Sequence, residues 1–251
     1  RRLIPISLLA VENGPMVHDA LDRALSCDAV GEHDGRFVIP MGFEPTGLSA
    51  REAGLLARIT GPMPLAQALT SRLEVAAMDR LVARGLVMLS GVTPSDASHV
   101  LGGLSDWDGV AAEKAVRLLA RRRNGRGERV ARDAATLAQT IVDQLTEQTA
   151  TCLLEAAFGE DPTFAEEDGV MLSRHKLLRA GLDQHRGIIE VSARIGVPVI
   201  GLGASAPFYY GAVGLRLGAK MILPEHAGVA NAIGAVVGQI SQGRVGGGKG
   251  L

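Results

Sequence analysis

The chain has 251 residues, enough for one large domain or two small ones with a core that can stand alone. Its hydrophobic fraction is 47% while aromatics make up only 3%, so the interior is built from small and aliphatic side chains rather than around an aromatic-rich binding surface. A net charge of −1 excludes global steering toward nucleic acid or an anionic membrane.

The two cysteines, Cys27 and Cys152, have neither metal-ligand spacing nor the numbers for a disulfide framework. That usage fits a reducing compartment, and a cytoplasmic location is expected. No run of 18 apolar residues is free of polar interruption, so no membrane span is expected. The first residue is Arg1 rather than Met, and the expectation is a fragment whose upstream part is missing.

Residues 3–11 form an apolar run containing Pro5, which predicts an extended edge segment. A short helix is expected over 16–26 and a short strand over Arg36–Pro40, after the Asp34-Gly35 turn. Ser49 and Glu52 mark the start of a helix, and Gly61-Pro62 marks its stop. Leu65–Leu69 reads as a second helix, residues 72–84 as a third at helical period, and Leu86–Leu89 as a strand. Three helices and a strand are also the outline of a winged helix, whose function would be DNA binding or regulation. Residues 72–84 carry Arg72, Arg80 and Arg84 against Glu74 and Asp79, with no Asn, Gln or Lys to read bases.

Thr93-Pro94-Ser95-Asp96 then opens another helix: Thr93 can cap, Pro94 suits the first turn, and Asp96 favours the positive helix end. A helix over 111–120 follows. Beyond it come six arginines between Arg121 and Arg132, around an Asn124-Gly125 turn. They read either as an anion patch or as an exposed junction, and aromatics for base stacking are absent. Helices are expected over 134–158 and over 172–195, separated by an acidic linker with Glu166, Glu167 and Asp168. A Gly-rich tail closes the chain at 246–250. The expected division is a mixed helical subdomain over 1–105, then 106–251, a helical segment leading into a C-terminal β-α-β-α lobe of nucleotide-binding type.

That lobe carries the chemistry. Val197–Ile200 is a strand, Gly201-Leu202-Gly203-Ala204-Ser205 a turn of small residues, and a helix runs from Pro207 to Leu217. Lys220–Leu223 is a second strand, Pro224-Glu225-His226 a turn, and Ala227–Ile240 a last helix. Glycines directly after a strand let the backbone approach a ligand, and the next helix N-terminus offers free N–H groups and partial positive charge. Gly201, Gly203, Ala204 and Ser205 are therefore the candidate cofactor-binding residues. Two folds use this layout. One is a dinucleotide fold, for which Gly201, Gly203 and Ala206 fit the looser glycine fingerprint with Glu225 further on. The other is the C-terminal lobe of an actin-like or sugar-kinase-like ATPase fold, here with a large helical insertion. Position near the chain end favours the second. The bland alternative is a turn that only packs the helix on the sheet.

Three segments resemble the C-terminal half of the hydantoinase/oxoprolinase A-type family. They are Gly201–Pro207 with Leu223–Ala235, Thr93–Gly102, and the opening residues 1–9. Ser95 stands where that family has Thr, which keeps the hydroxyl. The resemblance implies an ATP-dependent hydrolase that opens a cyclic amide or imide, such as 5-oxoproline or a hydantoin. It implies ATP and Mg²⁺ as cofactors, with the phosphate-binding loops upstream of residue 1, so the fragment alone is expected to be inactive. It also implies a second subunit or a homo-oligomer as partner, and neither nucleic acid nor membrane. Thr93 and Asp96 are the candidates for contact with substrate or Mg²⁺-bound water, against simple helix capping. No protein metal cluster is expected. His99 and His226 lie inside the family-like segments and read as structural.

Overall fold

The structure, a computed structural model, describes residues 3–203 and 206–237. It is of mixed α/β class, with a small mixed sheet of four strands and a separate parallel pair. The chain divides into two compact units, Arg1–Thr149 and Ala150–Leu251, rather than at 105/106. The reason is packing. Helix Gly109–Arg121 buries Ala111, Ala115 and Leu118, one face at helical spacing, in a core shared with helix Ile6–Ser26.

In the first unit, β1 (Leu3–Pro5) runs parallel to β4 (Val87–Gly91). β2 (Phe37–Pro40) lies antiparallel to both β4 and β3 (Met63–Pro64), giving the order β1-β4-β2-β3. The strand alternation covers both faces. Phe37 enters one core with Ile6, Val17 and Leu21, and Val38 enters another with Leu55, Leu65 and Leu81. The extended run expected over 3–11 stops at Pro5, because α1 (Ile6–Ser26) starts at once and continues past the expected 16–26. It kinks at Asn13, two residues before Pro15, whose ring clashes with the helical carbonyl four residues back.

The second core is closed by α2 (Ala50–Arg58), α3 (Leu65–Ala68) and α4 (Val75–Ala83). Ser49 caps α2 as expected: its N–H donates to Glu52 at 2.8 Å, and the Glu52 N–H donates to its hydroxyl at 3.3 Å. Glu52 also accepts from Arg80 of α4, and Glu74 accepts from Arg58 and from the Thr70 N–H. The Ser49 N–H and then the Arg80 guanidinium lower the Glu52 carboxyl from 4.5 to about 2. Arg58, then the Thr70 N–H, do the same to Glu74. Arg84 donates to the Thr46 and Gly47 carbonyls. Arg80 and Arg84, two of the arginines that a DNA reading would use, are thus engaged within the unit.

α5 (Pro94–Val100) and α6 (Gly109–Arg121) complete the other side, and Asp108 caps α6 through the Ala111 N–H. Asp108 also lies 2.8 Å from Nε2 of His18, whose Nδ1 faces the Lys114 ammonium at 3.3 Å. An ammonium only donates, so Nδ1 accepts and Nε2–H donates to Asp108. Burial pushes the Asp108 carboxyl up, but the Ala111 N–H and His18 outweigh it and hold it below its ordinary value.

α7 (Ala134–Glu160) contains the division between the units. In the second unit, α8 (Gly169–Arg174) and α9 (Lys176–Leu182) replace the helix expected over 172–195. That helix ends at Leu182. Gln184 takes a left-handed φ of 52°, and the Ala193 N–H bonds back to the Gly181 carbonyl, so residues 183–198 fold over α9 without helix or strand. β5 (Val199–Ile200), α10 (Ala206–Leu217), β6 (Met221–Ile222) and α11 (Ala230–Val237) follow in the expected order. β5 and β6 are parallel. α10 sits against β6 at Gly214, where an added Cβ would meet Met221 Cγ at 2.2 Å. The last residues of the expected helix to Ile240, and the Gly-rich tail, lie outside the described residues. Among the described residues, no helix is long and apolar enough to cross a membrane.

The two lowered carboxyls set a pH dependence. Both are depressed in the folded state, so their stabilisation is complete above about pH 4.5 and is lost as pH falls toward 2. Urea unfolding of the wild type should therefore weaken between pH 6 and pH 3. The Glu52→Gln, Glu74→Gln double variant should begin less stable at pH 6 and lose less on acidification.

Candidate functional site

The glycine turn sits at the carboxyl end of β5. The Gly201 N–H pairs with the Ile222 carbonyl and so continues the β5–β6 ladder by one bond. Gly203 has φ 114°, a conformation that side chains rarely adopt, and nothing stands within 4 Å of where its Cβ would be. Its N–H donates to the Ala227 carbonyl at 2.8 Å, and its own carbonyl accepts from the first N–H of α10, at Ala206, at 3.0 Å. Because β5 and β6 are parallel, both strands end on the same side. The 2.8 Å bond then joins the backbone after β5, at Gly203, to the backbone after β6, at Ala227, in one rim. Ala204 and Ser205, the other two candidate residues, lie outside the described residues.

The two candidate glycines serve differently. A Cβ on Gly201 would approach Leu223 Cδ2 at 2.6 Å and the Tyr210 ring at 3.3 Å, so this glycine allows close packing of α10 and the 223 loop. At Gly203 space is open and the backbone conformation is the constraint. Open space beside a positive-φ glycine, next to a helix start, is what a ligand-facing backbone requires. His226, beside this rim, is exposed.

Thr93 and Asp96 lie in the first unit. Asp96 is fully buried, and its carboxylate takes four donors: the Ser7 N–H and hydroxyl on Oδ1, and the Thr93 N–H and hydroxyl on Oδ2. All four distances are 2.7–2.8 Å. Both carboxylate oxygens are thus engaged by the chain itself, in a tertiary helix cap. Ser7 was not foreseen, being 89 residues away and assigned to an extended run. The motif Thr-x-x-Asp signalled the cap but carried no mark of its distant partner.

His99 is buried against Trp107, with ring centroids 5.6 Å apart, and its Nε2 has no hydrogen-bond partner among the described residues. Glu166, Glu167 and Asp168 are exposed, and Asp168 caps α8 through the Val170 and Met171 N–H groups. Among the described residues no group of three or more His, Cys, Asp or Glu is placed to hold a metal ion.

The contrast between the two glycines is testable by chemical denaturation. Gly203→Ala should destabilise by about 1–3 kcal/mol, since no side-chain movement relieves a left-handed φ. Gly201→Ala should cost less, because the nearest obstacle is the movable end of the half-exposed Leu223.

No protein-family model matches this chain, nor does any curated protein or solved structure, so the functional reading rests on these residues and their geometry.

Proposed function

We propose that this chain is the C-terminal part of an ATP-dependent enzyme of the hydantoinase/oxoprolinase A class, which opens a cyclic amide or imide. In this reading the second unit is the C-terminal lobe of an actin-like ATPase fold, and the Gly201–Gly203 turn receives the nucleoside end of ATP. The observation that carries it is the 2.8 Å bond from the Gly203 N–H to the Ala227 carbonyl. It joins the two most family-like segments into one rim at the carboxyl ends of parallel strands, where ligands of open α/β sheets bind.

The residues present fit only one end of the nucleotide. Gly203 offers open backbone beside the start of α10. No Asp-Gly-Gly-Thr-type phosphate loop occurs in the sequence, and the described residues offer no cluster for a metal. In this class ATP supplies the phosphoryl group that activates the amide oxygen, a chemistry that relies on positioning and on Mg²⁺. In this reading the phosphate-binding loops lie upstream of residue 1, and the catalytic step with them. Within this chain, Gly201 sets how closely α10 approaches the 223 loop, and Gly203 keeps the turn open. Thr93 and Asp96 fix the start of α5 in the first unit, a positioning role.

Equilibrium titration of ATP-Mg²⁺ and of NAD into the longest natural form of the protein tests the proposal. Saturable ATP binding that weakens at least about tenfold in Gly203→Val, with circular dichroism unchanged, is the expected result. Binding of NAD in place of ATP would move the site to the dinucleotide class. Binding of neither would leave the turn as packing alone.

A further inference from the structure

The arginine-rich stretch beyond α6 is not used by the reading above. In the structure, Arg123 and Arg129 pair across a short hairpin whose turn contains Asn124-Gly125. Arg121 donates to the Leu25, Cys27 and Asp28 carbonyls and so caps the C-terminal end of α1. Arg122 donates through Nη2 to the Gly31, Glu32 and Asp34 carbonyls. Between this latch and the 28–32 loop lies a cavity of about 510 Å³, whose wall carries Arg121, Arg122, Arg123 and Arg129.

The charge in that wall is offset only in part. Asp28 and Glu32 also line it, leaving four guanidiniums against two carboxylates. Yet among the described residues none of the four arginines has a carboxylate within 4.0 Å. The carbonyl contacts of Arg121 and Arg122 use their Nη atoms, so among the described residues their Nε–H groups, and Nη1 of Arg122, have no acceptor. Arg123 spends one nitrogen on Gly127 within its own hairpin, and among the described residues the Arg129 side chain spends none. Burial, and then the charge of Arg36, hold the Arg122 guanidinium below the usual arginine range, while Asp34 and Glu32 act in the opposite direction. Unused guanidinium forks facing a concave space are the donors that bind phosphate or carboxylate bidentately.

We infer that this cavity binds a small phosphomonoester, with its phosphate on the free edges of Arg122, Arg123 and Arg129. Two features select this class. The volume lies within the range of small-molecule sites and is larger than phosphate alone needs. The stretch from Arg121 to Arg132 has no aromatic residue on which a base could stack, which disfavours single-stranded nucleic acid. The site lies wholly in the first unit and is independent of the nucleotide turn in the second.

The test is calorimetric titration of the full chain with glycerol 3-phosphate, inorganic phosphate and a short oligothymidylate at low salt. The expected result is saturable binding of the phosphomonoester, tighter than inorganic phosphate, weakening as salt is raised. Affinity should fall at least about tenfold in the Arg123→Gln, Arg129→Gln double variant, whose two side chains hold no residue outside their own hairpin. Thermal unfolding of that variant without ligand should be unchanged, which separates lost binding from lost fold. Three results would overturn the proposal: no saturable binding below about 10 mM, equal binding by the variant, or tighter binding of the oligonucleotide.

Discussion

One buried carboxylate fixes how the first unit is assembled. Asp96 has no exposure to solvent, and burying a charge without partners costs several kcal/mol. It meets that cost with four hydrogen bonds, two from Ser7 and two from Thr93. Ser7 is the second residue of α1, and Thr93 is the residue from which α5 starts. α1 has no side-chain cap of its own, because Pro5 precedes it. Asp96 therefore supplies an acceptor to α1 from 89 residues away while capping its own helix, and both helix ends favour its negative charge. Since β1 and β4 run parallel, the two helices leave the sheet on the same side, and the carboxylate fixes that junction. The core of α1 and α6 against the sheet, and the arginine latch at the far end of α1, follow from where this junction points the helix.

The sequence is legible where the governing chemistry is local. Ser49 with Glu52, the strand ending at Pro40, the short helix at Leu65 and the long helix from Ala134 all follow from caps, breakers and periodicity. So does the strand, glycine turn, helix, strand, helix order from Val199 onward. It is not legible where a distant residue decides. At the start of α1 the acceptor for Ser7 is the distant Asp96, and a proline in an apolar run pointed instead to an edge strand. The inclusion of α6 in the first unit depends on Ala111, Ala115 and Leu118 meeting α1. Residues 183–198 have helical composition in part, but a left-handed Gln184 and the bond from Ala193 to Gly181 turn the chain back.

The candidate site divides along the same line. Gly203 was legible because a glycine after a strand and before a helix has a local backbone reason, and its φ of 114° is that reason. Its pairing with the Ala227 carbonyl was not, although both residues lay in segments singled out by the same resemblance. Thr93 and Asp96 were legible as a cap, while the depth of their burial was not. Polar residues at a helix start can face a cleft or a core, and only the tertiary partner, here Ser7, decides between them.

Asp96 serves the architecture of the first unit through Ser7. A double-mutant cycle of Ser7→Ala and Asp96→Asn, read by denaturant unfolding, measures that link. A coupling of about 1 kcal/mol or more is expected between residues 89 positions apart. Strictly additive effects would contradict it, and would return Asp96 to the candidates for contact with substrate.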